Sequence, residues 1–336
     1  MKKDRINTAI VGCGSFVKGM HLPNISLDNR YRIYAAVDIV GENAKYVFEQ
    51  YNAAYFTTDY NKVLSDKEVD LVFITTRHDL HAEMSIKAAE AGKDIFCEKP
   101  MGLDYSECKE VMRAVRKNRV KYCIGYNRGL APLITKAGEI VSKEGKPIIM
   151  YHRMQNYFAY GSHWLLDEKI GGGRIVGEGC HILDLFCVLS NSNPVRIYGE
   201  GGVFTNPDAE GTPDTGAIVL AFENGSVGTM LISSVGNDKI PKESTEIYCG
   251  DTAIIIENFQ RMRLSIGNKQ EDIVLDQVDK GHRIEMELLA KAILDGEILP
   301  NDVVSAMRAA VCSFKAVEAI KTHKVQQILP EEFANV

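Results

Sequence analysis

An apolar run, Ile95-Phe96-Cys97, passes directly into Glu98-Lys99-Pro100. This places a lysine at the carboxyl end of a buried strand, with a proline fixing the next residue. In an open α/β sheet, ligands bind just outside the carboxyl ends of the strands. Near a positively charged ligand, such a lysine would feel a like charge and partial burial. Both lower its pKa and improve it as a proton acceptor. A solvated surface lysine is the ordinary alternative, but the strand before it and Pro100 after it argue against that.

A second group of residues precedes it. Gly12-Cys13-Gly14 follows the short apolar run Ile6 to Val11. Glycines there let the backbone turn tightly and approach a pyrophosphate, which then meets a helix N-terminus. The third position of the G-x-G-x-x-G fingerprint is Val17. A glycine pair after a strand also serves as a plain tight turn. Asp38 ends the next strand, Tyr31 to Val37, and no arginine directly follows it. An acid at that place accepts both ribose hydroxyls of NAD and repels the 2′-phosphate of NADP. Asp38 could equally be a strand-ending turn residue, but strand, glycines and acid together favour a dinucleotide.

The third group runs from Gly171-Gly172-Gly173 to Glu178, His181 and Asp184. If a helix starts near Glu178, these three side chains share one face. A carboxylate beside His181 would set its tautomer and raise its pKa, which suits proton transfer near neutrality. A satisfied histidine at a helix N-terminus is the simpler alternative. Zinc is a further one, but no additional His/Cys pair completes a ligand set, so no metal is expected. Arg153, Asn156, Tyr157, His163 and Trp164 form a polar-aromatic stretch. Aromatics with hydrogen-bonding neighbours suit the apolar faces and hydroxyl edges of a sugar ring, and an ordinary interdomain surface would look the same.

The elements that must hold these residues are read from the rest of the chain. Its 336 residues exceed one typical core and suit two domains. Strand and helix patterns alternate up to Val120–Ile124, which indicates βαβ units and a parallel sheet. Asp104-x-x-Glu107 resembles a capping box opening a helix. From about 195 to 266 the pattern is mostly strands, with Glu223-Asn224-Gly225 as a hairpin signal, and suggests one antiparallel sheet. The tail returns to helix, with Val304, Met307, Val311 and Phe314 on one face. The boundary falls near Tyr126 to Gly129, which divides the chain into 1–127 and 128–336.

Composition bounds the partners. With 45% hydrophobic residues, 25% charged residues and a net charge of −6, neither nucleic acid nor an anionic membrane is an expected partner. No apolar run reaches bilayer length, and the N-terminus does not read as a signal peptide. Eight scattered cysteines without a C-x-x-C fit a reduced, cytoplasmic protein.

Taken in order, the glycine turn, Thr75-Thr76 with His81, Ala91-Gly92-Lys93, Glu98-Lys99-Pro100, Asn127-Arg128 and Gly171-Gly172-Gly173 to His181-x-x-Asp184 resemble the glucose–fructose oxidoreductase/inositol dehydrogenase (Gfo/Idh/MocA) family. The resemblance covers nearly the whole chain. It implies an α/β protein: an N-terminal Rossmann domain, and a C-terminal α/β domain with a large, open, mostly antiparallel sheet for substrate binding and oligomerisation. It also implies NAD and hydride transfer at a secondary hydroxyl of a sugar, cyclitol or glycoside, in a homodimer or homotetramer. Lys99 matches the lysine that contacts the reacting hydroxyl, and His181 the histidine proposed as acid/base. Cofactor contacts fall on Gly12, Gly14, Ser15, Phe16, Asp38, Thr75, Thr76, His81, Glu98, Lys99 and Asn127. Substrate contacts fall on Lys99, Arg153, Asn156, Tyr157, His163, Trp164 and His181. The family pattern places an aspartate four residues before the histidine; here that position is Gly177, and the acid beside it is Glu178. Two other activities exist within such a family: glycoside cleavage by oxidation and elimination with recycling of NAD, and catalytically silent sensing of the dinucleotide.

Overall fold

The computed structural model describes residues 4–156, 164–205 and 211–334. The first stretch alternates strictly: β1 (Ile6–Val11), α1 (Leu22–Ser26), β2 (Tyr31–Val37), α2 (Gly41–Tyr51), β3 (Tyr55–Thr57), α3 (Tyr60–Ser65), β4 (Leu71–Ile74), α4 (His81–Glu90), β5 (Asp94–Cys97), α5 (Tyr105–Asn118) and β6 (Tyr122–Ile124). The second comprises α6 (Pro132–Glu144), β7 (Ile149–Gln155), α7 (Cys180–Ser190), β8 (Pro194–Gly202), β9 (Thr215–Phe222), β10 (Val227–Ser233), β11 (Glu243–Cys249), β12 (Thr252–Glu257), β13 (Arg261–Ile266) and β14 (Lys269–Val274). The chain then forms α8 (His282–Asp295), α9 (Val303–Thr322) and β15 (Gln326–Gln327).

The contacts separate two compact units. The first holds a six-stranded sheet in the order β3-β2-β1-β4-β5-β6, every pair parallel. Helix-covered parallel strands read as unbroken apolar runs because both faces are buried; Leu71–Ile74 is buried at every position. The strand order reverses between β1 and β4, and the crevice at such a reversal is where this architecture binds ligands. At the start of α5, Asp104 accepts the Glu107 amide at 2.9 Å. The Glu107 carboxylate in turn takes the Leu103 amide at 2.8 Å, one residue before the cap.

The division at 127/128 meets one correction. The first unit consists of Met1–Tyr126 together with His282–Met307, so α8 and the first turn of α9 belong with the parallel sheet. Met286, Leu289, Ala290 and Ala292 join a core with Ile6, Ile10, Tyr31 and Phe73, and the Tyr31 hydroxyl donates to the Met286 carbonyl at 2.7 Å.

The second unit holds a nine-stranded sheet in the order β14-β13-β12-β11-β7-β10-β9-β8-β15. Among the described residues only β7 and β10 pair in parallel there; the other pairs are antiparallel. Along β7, Met150, His152 and Met154 are buried while Ile149, Tyr151 and Arg153 are not, the period-two pattern of a sheet covered on one face. Helix α7 lies on the covered face. At Gly228 of β10 a Cβ would come 2.5 Å from the Phe186 ring of α7, so the helix seats only over glycine.

Candidate active site

The first unit places its sequence-predicted residues along the carboxyl edge of the sheet. After β1 the chain turns at Gly12 with φ +92°, and a Cβ there would lie 2.7 Å from the Thr75 carbonyl. Glycine is therefore required on both conformational and steric grounds. The Thr75 hydroxyl donates to the Gly12 carbonyl at 2.6 Å and fastens the turn to the end of β4. At Gly14 a Cβ would meet nothing within 4 Å, so the turn is open on that side. Ser15 and Phe16 start a helical segment over 15–26, whose first amides and dipole favour an anion. Phe16, Ile39 and Val40 are exposed apolar side chains near this turn and the end of β2.

Asp38 is braced by its own backbone. Its Oδ2 accepts the Cys13 amide and its Oδ1 the Val40 amide, both at 2.8 Å. Each oxygen keeps a lone pair for a further donor. Burial, together with the Asp38 charge, pushes the Cys13 thiol up to about 12, so it stays protonated. A glycine turn with an open side and an acid held at the second strand end fit a dinucleotide with an unphosphorylated ribose. Asp38→Asn keeps an acceptor but loses the charge. The ratio of kcat/KM with NAD to that with NADP is expected to fall about tenfold or more, read from initial rates with each cofactor.

His81 has a different place from a cofactor contact. It is fully buried, with Nδ1 2.8 Å from the Pro100 carbonyl and Nε2 3.1 Å from the Thr76 carbonyl. Burial opposes its charge, but Cys97 and the two carbonyls outweigh it and raise the imidazole to about 9. His81 thus ties the loop after β4 to the segment after Lys99. Thr76 and Lys99 are only partly buried at the sheet edge.

A residue the sequence reading passed over pairs with Glu98, next to Lys99 in the chain. The helical segment contains a π turn, Val17–His21, in which the Leu22 amide donates to Val17. Pro23 comes next and has no amide to continue the α-helical ladder, a common cause of such a turn. The inserted residue rotates the remainder of the segment by roughly 100° about the axis, and His21 is fully buried. Its Nε2 lies 2.6 Å from Oε1 of Glu98. Nothing in the spacing of a lone histidine among helix residues signals that pairing.

In the second unit, a helical segment spans 173–190 and includes a second π turn, Ile175–Gly179. Gly172 and Gly173 enter it with φ of 74° and 79°, the left-handed region that glycine permits. The helix thus begins before Glu178, which lies in the π turn, whereas His181 and Asp184 are three apart in α7. Glu178 lies in the π turn with its carboxylate 3.6 Å from Lys242. His181, in the first turn of α7, is buried. Asp184 makes no hydrogen bond to His181 among the described residues; burial raises it to about 7, with Arg308 pulling the other way.

The remaining expectations separate. Arg153 belongs to the sheet face opposite α7, where its Nη1 donates to the Pro241 carbonyl at 2.9 Å. It is therefore not grouped with His181. Asn156, just past β7, accepts from the buried Arg174. Trp164 opens a single 3-10 turn and is half-buried. Asn127 is buried and gives its side-chain amide to the Lys280 carbonyl at 2.7 Å. Tyr157 and His163 lie outside the described residues. Among the described residues no group of three or more His, Cys, Asp or Glu side chains is placed to hold a metal ion, and no helix is long and apolar enough to cross a membrane.

A charge cluster also escaped the sequence reading. Glu243, fully buried, takes Arg128 Nε at 2.7 Å and Nη2 at 3.1 Å, and also accepts from Lys280 Nζ. His152 Nε2 stands 3.6 Å away. Burial opposes the carboxylate charge, but Arg128, His152 and Lys280 outweigh it and hold Glu243 well below the usual range. These residues are far apart in sequence, so no local pattern could show them.

The first unit is in architecture a dinucleotide-binding domain of an oxidoreductase. Residues 6–126 match the family described as "Oxidoreductase family, NAD-binding Rossmann fold", and residues 137–255 match the "GFO/IDH/MocA C-terminal domain". The chain belongs to the GFO/IDH/MocA oxidoreductase family. It is 32% identical over 230 residues to "Uncharacterized oxidoreductase YrbE" of Bacillus subtilis, covering 67% of this chain and 66% of that one. It is 20% identical over 337 residues to the myo-inositol 2-dehydrogenase of Thermotoga maritima, covering 95% and 98%. The structure of a levoglucosan dehydrogenase in complex with NADH and levoglucosan superposes with a TM-score of 0.87 at 17% identity, over 96% of this chain and 99% of that one. This last likeness speaks for the fold.

Proposed function

We propose that this protein is an NAD-dependent dehydrogenase acting on a secondary hydroxyl of a sugar, cyclitol or glycoside. The observation that carries the reading is Lys99, held by a buried carboxylate at the carboxyl edge of a parallel sheet that also bears the glycine turn and Asp38. The names of its relatives, myo-inositol 2-dehydrogenase and levoglucosan dehydrogenase, support the substrate class. When bound, NAD supplies the hydride acceptor. Lys99 Nζ donates a hydrogen bond to the reacting oxygen and shares the hydroxyl proton; in the second unit, His181 is the candidate acid/base. Asn156 and Trp164 are the described candidates to grip the other hydroxyls; Arg153, on the opposite sheet face, is not.

The same reading includes a homo-oligomer formed through the uncovered face of the nine-stranded sheet. Ile149, Val219 and Tyr248 expose large apolar side chains there, and patches of that kind mark interaction surfaces. Light scattering on the purified protein tests it; a monomer at all concentrations would refute it. Eight free, buried cysteines support a reducing, cytoplasmic setting.

A screen following NADH absorbance tests the activity. Protein and NAD are mixed with inositols, free hexoses, anhydrosugars, sugar acids and aryl glycosides, with aglycone release followed in parallel. NADH growth with one class establishes the dehydrogenase and its substrate. Aglycone release at constant NADH would replace it with an oxidation–elimination route, and dinucleotide binding without turnover across the panel would refute it in favour of a sensor.

A further inference from the structure

Glu98 links two segments that the sequence separates by 77 positions. Its Oε1 takes the Nε2 hydrogen of His21 at 2.6 Å, and its Oε2 takes the backbone amide of Lys99 at 3.2 Å. Room for the carboxylate is reserved at the end of β6, where a Cβ on Gly125 would come 2.9 Å from Oε1. His21 is held edge-on against the stacked rings of Phe73 and Phe96. Among the described residues its buried Nδ1 has no hydrogen-bond partner, so the ring's one hydrogen bond there goes to Glu98. A buried histidine spending its single hydrogen bond on a carboxylate is an expensive arrangement for packing alone, because apolar side chains would fill the space without desolvating either group.

We propose that His21 and Glu98 form a positioning pair for Lys99, keeping a buried negative charge beside the lysine and anchoring its backbone. The proposal rests on the reading of Lys99 as the proton-handling residue. The groups that face Glu98 are His21 from the π turn, Lys99 next in the chain, His282 from the start of α8 and the Cys123 thiol of β6. Burial opposes the charge on Glu98, but His21, Lys99 and His282 together lower it to about 2, so it remains a carboxylate across the working range. That charge stabilises the ammonium form of Lys99. His21 does its part by keeping the buried carboxylate ionised and pointed. The pair also joins the helical segment that opens the dinucleotide turn to the lysine segment, so both are placed by one contact.

The test reads the lysine itself, without cofactor or turnover. Reductive methylation of Lys99 is followed by peptide mass spectrometry from neutral to alkaline pH in the dinucleotide-free protein. In Glu98→Gln the midpoint of labelling is expected to move to lower pH by about one unit, an increase of about tenfold in rate at a fixed pH below it. His21→Phe removes the partner of the buried carboxylate, favours its protonation, and is expected to move the midpoint the same way. His21→Gln, whose amide still donates to Oε1, restores most of it. The double variant Glu98→Gln/His21→Phe is expected to shift no further than either single one, as for two residues acting through one contact. Thermal melting and NAD binding identify folded variants, and His21→Phe against His21→Gln carries the comparison should Glu98→Gln not fold. A midpoint unmoved in folded Glu98→Gln or in folded His21→Phe, or additive shifts in the double variant, would overturn the pair. A shifted midpoint combined with full turnover in Lys99→Ala would keep the pair and discard the catalytic reading of the lysine.

Discussion

Turnover in Lys99→Ala is expected to fall about a hundredfold or more, with NAD still bound. A positioned acid/base group contributes that much, and the alanine variant removes Nζ while leaving the backbone amide that Glu98 holds. The glycine turn and Asp38 are fastened independently, through Thr75 and through the Cys13 and Val40 amides, so the dinucleotide site does not depend on the lysine side chain. The measurement is a pair of titrations: NADH fluorescence for binding, and initial rates at saturating substrate for turnover. Loss of kcat at unchanged cofactor affinity places the lysine in the chemistry. Loss of binding with kcat retained at saturation would make it a cofactor contact instead.

Glu243→Gln is expected to cost the second unit about 3–5 kcal/mol. Removing one partner of a buried ion pair leaves the other charge desolvated and uncompensated, and here Arg128 is left so, with Lys280 half-sheltered beside it. The pH dependence has a definite sign. The folded carboxylate titrates well below the unfolded one, so its contribution is fully present above the ordinary carboxylate range. It is lost as pH falls through the depressed folded value. Urea unfolding of the wild type should therefore weaken in acid, and Glu243→Gln should lose that part of the dependence. Replacing Arg128 and Glu243 together by methionine is expected to cost less than Glu243→Gln alone, because no unpaired guanidinium is left behind. Equal stability of wild type and Glu243→Gln would mean that water reaches the cluster.

Much of this was legible in the chain. Period-two and unbroken apolar runs marked the strands, and Gly12, Asp38 and Lys99 stood at strand ends because that is where a parallel sheet presents residues to a crevice. What stayed hidden depends on contacts between distant residues. His21 pairs with Glu98, and Glu243 with Arg128 and Lys280, across gaps that no local pattern spans. The helix that carries His181 starts earlier than expected, through a π turn that holds Glu178, because a π turn has no local sequence signature. Arg153 read as a sugar ligand from its residue type, whereas the alternation along β7 sends it to the far face. In the tail, the face of Val304, Met307, Val311 and Phe314 was read, but α8 before it was not, and its packing on the parallel sheet is a long-range contact that periodicity does not name.

That α8 belongs to the first unit has a consequence for synthesis. A ribosome that has made residues 1–126 and the start of the second unit has released all six parallel strands, but not Met286, Leu289, Ala290 and Ala292, which complete their core. The intervening 127–281 must emerge first. The nascent first unit therefore waits through the whole of the second with part of its apolar surface uncovered, the kind of intermediate that chaperones bind.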